Sequence, residues 1–250
     1  MARYFLALMP DRAGQAPPEN RQRAGAGRRP WGKLLDIIPP RASRADGMRL
    51  VLEVGVDTQS LFELQPEYGR NMLTALGRIG GIPCMIIANQ PSQQAGAITR
   101  EAAEKATHFF NVASDFGLPL ISLLDNPGVM PGPAAEKSGV LKAAAQMFSA
   151  QRRYRGKKIV VTLRKAFGFG SSVMGMNPWD QQVISLALPS VSLGGVPAIG
   201  GAEAARASEQ EAAQWQDMQS GAWVPADAMA FDKVIDPREL RNELITVLHS

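Results

Sequence analysis

The chain has 250 residues, 45% hydrophobic and 20% charged, with one cysteine, Cys84, and two histidines. That length and balance fit one buried core with an appendage. A single cysteine excludes a disulfide framework and a cysteine-cluster zinc site. The net charge of +4 conceals an asymmetry, because residues 1–50 carry nine Arg and one Lys against four acidic residues. The remaining residues are slightly acidic, so the basic excess belongs to the amino-terminal stretch.

Tyr4–Met9 is apolar but too short for a signal sequence, and Pro10-Asp-Arg12 follows without a small-residue cleavage site. No run approaches the roughly 20 apolar residues needed to cross a bilayer. The expectation is a soluble, cytoplasmic protein with no membrane contact. Residues 10–30 hold Pro, Gly, Arg and Gln without a hydrophobic period, and Pro39-Pro40 and Arg41–Asp46 interrupt structure again. Residues 1–47 therefore read as a basic arm or tether, mobile when no partner is bound, and 48–250 as one compact domain. No aromatic or repeated pattern in the arm supports nucleic-acid binding.

Met48–Val54 reads as a short helix or strand and Ser60–Leu64 as a strand. Thr74–Ala88 reads as a hairpin turning at Gly80-Gly81. Glu101–Phe116 carries apolar residues at helical spacing. Pro119–Leu124 is a buried strand, Gly139–Tyr154 a helix and Lys158–Leu163 a strand. Asn177–Val183 opens a helix or loop, and Gln182–Leu188 and Val191–Leu193 are strand candidates. Ala202–Met218 is helical, and Pro225–Phe231 begins a short helix before Val234-Ile235. Asp236 caps a closing helix over Pro237–His249, with Pro237 at its first position. The alternation implies a layered α/β fold with a mostly parallel sheet.

His108 lies mid-helix and His249 is penultimate, and neither has a ligand partner at helical spacing. No metal site, phosphate loop or dinucleotide fingerprint is expected. Three loops follow strands, where sites of parallel α/β sheets gather. The first is Ala88-Asn-Gln-Pro-Ser-Gln-Gln-Ala-Gly96, whose Asn89 and Gln90 could hydrogen-bond a ligand amide. The second is Leu124-Asp-Asn-Pro-Gly-Val-Met-Pro-Gly132. The third is Arg164-Lys-Ala-Phe-Gly-Phe-Gly-Ser-Ser172, where a strand enters a glycine-spaced turn and a small-residue segment. Backbone N–H groups at such a turn can form an oxyanion hole. Each loop alone also reads as an ordinary turn. Asp125 reads as a general base or as a cap on backbone N–H groups.

Gly77–Gly81, Ala88–Pro91, Ala95-Gly96, Glu104–Ala106, Leu124–Gly128, Pro131-Gly132, Phe167–Gly170 and Asp232–Arg241 together resemble the biotin-dependent acyl-CoA carboxylase carboxyltransferases. The propionyl-CoA and methylcrotonyl-CoA carboxylase β subunits are closest in pattern. The likeness runs in order over about residues 48–250 and is to the carboxyl-terminal half of that family's chain, with Tyr4–Pro18 similar to the tether between halves. It implies a crotonase-like fold with a parallel sheet and surrounding helices. It implies transfer of a carboxyl group from carboxybiotin, held on a separate carrier, to the α-carbon of an acyl-CoA. It also implies an amino-terminal-half partner, a carrier or biotin carboxylase subunit, and a hexamer-type oligomer, with no metal in this chain.

By position, the resemblance places the donors to the biotin ureido oxygen on the backbone N–H groups of Phe169 and Gly170. It places cofactor contacts at Asn89, Gln90, Pro91, Ala95, Gly96, Pro127, Gly128, Gly132, Gly168, Ser171 and Ser172. Two departures stand out. The family has Gly or Ala where Phe169 stands, so its ring must point away from biotin. The 194–217 stretch is shorter than the family's helical cover. A biotin-dependent decarboxylase subunit and a non-catalytic structural or regulatory paralogue remain open alternatives.

Overall fold

The computed structural model describes residues 2–12, 14–20, 32, 34–38, 47–176 and 184–250. Three short helices come first: α1 (Ala2–Leu6), α2 (Leu34–Ile37) and α3 (Met48–Gly55). The central part runs β1 (Phe62–Leu64), β2 (Met72–Ile79), β3 (Ile82–Asn89), α4 (Arg100–Asp115), β4 (Leu120–Asn126), α5 (Pro133–Ser138), α6 (Val140–Arg153), β5 (Lys158–Phe167) and α7 (Gly168–Val173). The last part runs β6 (Ile184–Ala187), β7 (Ser192–Gly194), α8 (Ala198–Ala205), α9 (Glu209–Gln219), α10 (Trp223–Asp227), β8 (Lys233–Val234) and α11 (Leu240–His249).

The strands form one sheet in the order β1-β2-β3-β4-β5-β6-β8, with β7 beside the far end of β5. From β3 to β8 neighbouring strands are parallel, and β7 is parallel to β5. The expected parallel sheet thus carries an antiparallel edge, because β1-β2-β3 is a meander whose β2–β3 hairpin turns at Gly80-Gly81. Both turn glycines have positive φ, 61° and 86°, which suits a two-residue hairpin.

The central strands are buried on both faces, so they read as continuous apolar runs. Alternation still sorts their side chains. Ile86, Ala88, Ile121, Leu123, Val161 and Leu163 join the core beneath α3 and α11. Met85, Ile87, Leu120, Leu124 and Val160 join the core beneath α4 and α6. Period two and two helical layers give the expected α/β sandwich.

Several boundaries differ from the sequence reading. Strand β5 continues past Leu163 to Phe167, where Lys165–Phe167 pairs with β7. The charged Arg164 looked like a strand end, but it is neutralised inside the sheet, as described below. The single helix expected over Ala202–Met218 is two, α8 and α9. Arg206 leaves α8 with φ 53°, and Ser208 with Glu211 forms a capping box that starts α9. The 194–217 stretch thus holds two helices. The closing helix begins with one 3-10 turn, Pro237–Glu239, where the Asp236 carboxylate accepts from Arg238 N at 2.8 Å. The reading of Asn177–Val183 lies outside the described residues.

The amino-terminal stretch packs on the hairpin. Leu8 and Met9 are buried in the α4–α6 core. The Arg78 guanidinium donates to Ala7 O at 2.6 Å, Pro18 O at 2.5 Å and Gly81 O at 2.8 Å. Asn20 N donates to Gly81 O at 2.9 Å. A carboxylate, Asp57, holds the same turn from beneath, accepting from Gly80 N at 3.0 Å and Gly81 N at 2.7 Å while pairing with buried Arg241 of α11 at 2.5 Å.

Candidate active site

The three loops named from sequence follow β3, β4 and β5, which are adjacent and parallel. The fold therefore gathers them at one edge of the sheet. The first two are joined through Asn89, which is fully buried. Its Oδ1 accepts from Asp125 N at 3.1 Å and from Asn126 Nδ2 at 3.1 Å, and its Nδ2 donates to Gly96 O at 3.3 Å. Expected to face a ligand, the Asn89 amide is instead spent on the neighbouring loops. Gln90 also turns inward at one end, its Oε1 accepting from Met48 N at 2.8 Å. It lines a polar cleft of about 250 Å3 with Arg49, Glu63, Arg70 and Gln93.

Pro91 is buried, and Ala95 is exposed with φ 55°. Gly96 has φ 79°, and a Cβ there would stand 2.6 Å from Asp125 O. Only glycine fits that approach. The second loop is tied to the first by Ile98, whose N–H donates to Gly128 O at 3.0 Å and whose carbonyl accepts from Met130 N at 2.9 Å. Gly128 is buried, while Pro127 and Gly132 are partly exposed, and Gly132 starts α5.

Asp125 is not a free base. It sits at the register shift between Leu124 and Asn126 in the β4–β5 ladder. Its Oδ2 accepts from Arg164 Nε at 2.8 Å and Nη2 at 2.7 Å. Its Oδ1 accepts from Lys165 N at 3.3 Å. Both side chains of the pair are at most 4% exposed. A buried carboxylate held by a guanidinium on one oxygen and a backbone N–H on the other fixes the strand ends, and its charge is already paired. Of the two sequence readings, capping of backbone N–H is the one the structure shows.

The third loop contains Phe169 and Gly170, whose backbone N–H groups the sequence singles out. β5 ends at Phe167, Gly168 takes φ 53°, and α7 begins at once. The first-turn amides of a helix have no partner within it. Among the described residues nothing accepts from Phe169 N or Gly170 N. Ser171 Oγ donates back to Gly168 O at 2.8 Å, and Ser172 O accepts from Gln151 Nε2 at 3.4 Å. Ser171 is thus bonded within the turn, and Ser172 is tied to α6. The Phe169 side chain is 42% exposed and leans on Phe148, with ring centroids 5.7 Å apart and planes tilted 48°.

Sequence reading missed the partners that hold this turn. Buried Lys158 donates to Gln151 Oε1 at 2.7 Å, and buried Ser122 donates to Met174 O at 2.6 Å. Their signal was faint, because one polar residue in an apolar strand does not announce its partner. Cys84 is buried, and burial pushes its thiol well above the ordinary range, which leaves it an inert filler. Among the described residues, no group of three His, Cys, Asp or Glu gathers, and no helix is long and apolar enough to cross a membrane.

Comparison with known proteins accords with this arrangement. The chain is 31% identical to the methylmalonyl-CoA carboxyltransferase 12S subunit of Propionibacterium freudenreichii, over 88% of this chain and 44% of that protein. It is 31% identical to the biotin-dependent acetyl-/propionyl-coenzyme A carboxylase beta5 subunit of Mycobacterium leprae, over 87% of this chain and 42% of that one. The transcarboxylase 12S structure, a hexamer solved with methylmalonyl-coenzyme A and methylmalonic acid bound, superposes with a TM-score of 0.90 at 28% identity. The match covers 99% of this chain and 49% of that one. A single-chain, multi-domain long-chain acyl-CoA carboxylase superposes with a TM-score of 0.85 at 28% identity, covering 98% of this chain and 24% of that one. The fold is thus crotonase-like, and the chain spans less than half the length of these curated relatives. The carboxyl transferase domain matches residues 1–250, and the chain belongs to that family.

Proposed function

We propose that this chain is the carboxyl-terminal half of an acyl-CoA carboxyltransferase, moving a carboxyl group from carboxybiotin on a carrier protein to the α-carbon of an acyl-CoA. The observation that carries the reading is the pair of α7 amides, Phe169 N and Gly170 N, without an acceptor among the described residues. Bound carboxybiotin would supply the carboxyl group and, once that group has left, the base that takes the α-proton of the thioester.

The residues present fit such a group. Phe169 N and Gly170 N would donate to the ureido oxygen as negative charge develops there. Preorganised donors at such a position are worth roughly 3 kcal/mol each. Gly168 sets the turn through its positive φ, and a Cβ there would stand 2.7 Å from Gly195 O. The Phe169 ring rests against Phe148. Ser172 lies beside the turn at the position where the family's acyl pocket is expected. Asp125 is engaged by Arg164, which suits a reaction whose base comes with the cofactor.

Chemistry on the thioester requires a second set of donors, and the relatives of twice this length suggest where it resides. An amino-terminal half of the kind those relatives carry would provide it and most of the coenzyme A contacts. The relatives are subunits of biotin-dependent enzymes, and one is the hexameric transcarboxylase core, so a carrier protein and a hetero-oligomer are the proposed partners.

The test combines the purified chain, an amino-terminal-half carboxyltransferase from the same organism and a biotinylated carrier, with acetyl-, propionyl- and longer acyl-CoAs. Carboxylation that requires both halves supports the reading. A complex that forms with full occupancy and transfers no carboxyl group to any of these substrates overturns it in favour of the non-catalytic paralogue.

A further inference from the structure

We infer that the Asn89–Asn126 amide pair is a positioning device for the α7 donors, an inference that rests on the reading of Phe169 N and Gly170 N as catalytic donors. Both side chains are fully buried, at the ends of adjacent strands β3 and β4. Neither is needed to fill the core, where an aliphatic side chain would serve. Each is used at both ends. Asn126 Nδ2 donates to Asn89 Oδ1 at 3.1 Å, while Asn126 Oδ1 accepts from Gly128 N at 3.0 Å. Asn89 Oδ1 takes a second bond from Asp125 N, and Asn89 Nδ2 reaches Gly96 O.

The relay continues by contact. Gly170, inside the proposed donor pair, lies directly on Gly128. A Cβ on Gly170 would stand 2.6 Å from Gly128 Cα and 2.7 Å from Gly128 C, and would also strike Asn126 Oδ1. The position of the Gly170 peptide is therefore set by the Gly128 peptide, which hangs from Asn126, which hangs from Asn89. Asn126 touches no proposed reacting atom. It acts through Gly128 and Gly170, so it is a positioning residue. A group of this length must donate at one end and accept at the other simultaneously. Asparagine does so, leucine does neither, and aspartate does so only when protonated. Buried networks of this kind rigidify what they support when every member is satisfied.

That last distinction supplies the experiment. The full chain, isotopically labelled, is prepared as parent, Asn126→Asp and Asn126→Ser, and its backbone amide resonances are followed from pH 8 to pH 5. In Asn126→Asp the carboxylate faces Asn89 Oδ1 at pH 8 and pushes the relay apart. The Phe169 and Gly170 resonances are expected to be displaced there and to return toward the parent positions on acidification. In Asn126→Ser, which loses the bond to Asn89 and holds Gly128 N only through a shorter hydroxyl, they are expected to be displaced at both pH values. Transfer assays with the amino-terminal-half partner at pH 8 are expected to show kcat lowered at least tenfold in both variants, with KM for acyl-CoA within twofold of parent. Unmoved Phe169 and Gly170 resonances in either folded variant overturn the inference. Displaced resonances with undiminished kcat overturn it as a statement about catalysis, and place the failure in the donor assignment rather than in the relay.

Discussion

Gly170 and Gly128 pack backbone to backbone, so closely that a Cβ on Gly170 would lie 2.6 Å from the Gly128 Cα. The contact joins the turn after β5 to the loop after β4. Gly170→Ala should force the two apart. We expect a loss of roughly 1–3 kcal/mol in stability, the usual cost of overpacking, and a fall in carboxyl transfer of at least 100-fold. Urea denaturation and steady-state rates with the partner half would check both, and a parent-like rate would show that the turn tolerates displacement.

The Asp125–Arg164 pair is a second joint between the same strands. Removing one partner strands a buried charge, which costs about 3–5 kcal/mol. Arg164→Met should therefore destabilise strongly, whereas Asp125→Leu combined with Arg164→Met should recover much of the loss. Chemical denaturation of the single and double variants checks this. A single variant within about 1 kcal/mol of parent would mean that water reaches the carboxylate.

Lys105 offers a pH-dependent signature. It sits within α4, is 2% exposed, and donates to Met72 O at 2.8 Å. Burial lowers its pKa to about 8, with Glu63 opposing the shift. A lysine depressed in the folded state binds fewer protons there than in the unfolded chain between about pH 8 and its unfolded value near 10.4. Its contribution to stability should therefore rise with pH across that window and be flat below it. Lys105→Met should abolish the rise. Urea midpoints at pH 7.5 and pH 10 for both proteins measure it, and identical slopes would contradict the assignment.

The amino-terminal stretch invites a similar check. Arg78 binds the carbonyls of Ala7 and Pro18, and Leu8 is fully buried. Arg78→Ala should release residues 4–20, visible as faster amide exchange at Leu8 and Met9 and a loss of about 2 kcal/mol or more. Unchanged protection would mean that the apolar contacts of Leu8 and Met9 suffice.

Much of this was legible in the sequence. Strands buried on both faces declare themselves as apolar runs, so β3, β4 and the first part of β5 were placed closely. The hairpin was marked by Gly80-Gly81, and the three loops were marked by Gly, Pro and Asn after those strands. What failed to show was pairing. Arg164 looked like the end of a strand because its neutralising partner, Asp125, is 39 residues away. Asn89 looked ligand-facing because an asparagine after a strand has the same appearance whether its amide points out or across to Asn126. Tyr4–Met9 looked like a stray apolar run, since only the tertiary fold shows that Leu8 meets the α4–α6 core. Lys105 interrupts an apolar helical face without any local cue that its ammonium reaches a strand carbonyl.

The central claim is that the backbone of the α7 turn, not a side chain, stabilises the leaving biotin. The direct measurement is carboxyl transfer from free N-carboxybiotin by the two-half complex, comparing Phe169→Pro with Phe169→Ala. Proline removes one N–H at the first turn of a helix, where its ring is best tolerated, whereas alanine removes only the ring. The account predicts that Phe169→Pro loses about 100-fold in kcat while Phe169→Ala stays within a few-fold of parent. A folded Phe169→Pro protein with parent-like kcat would contradict it.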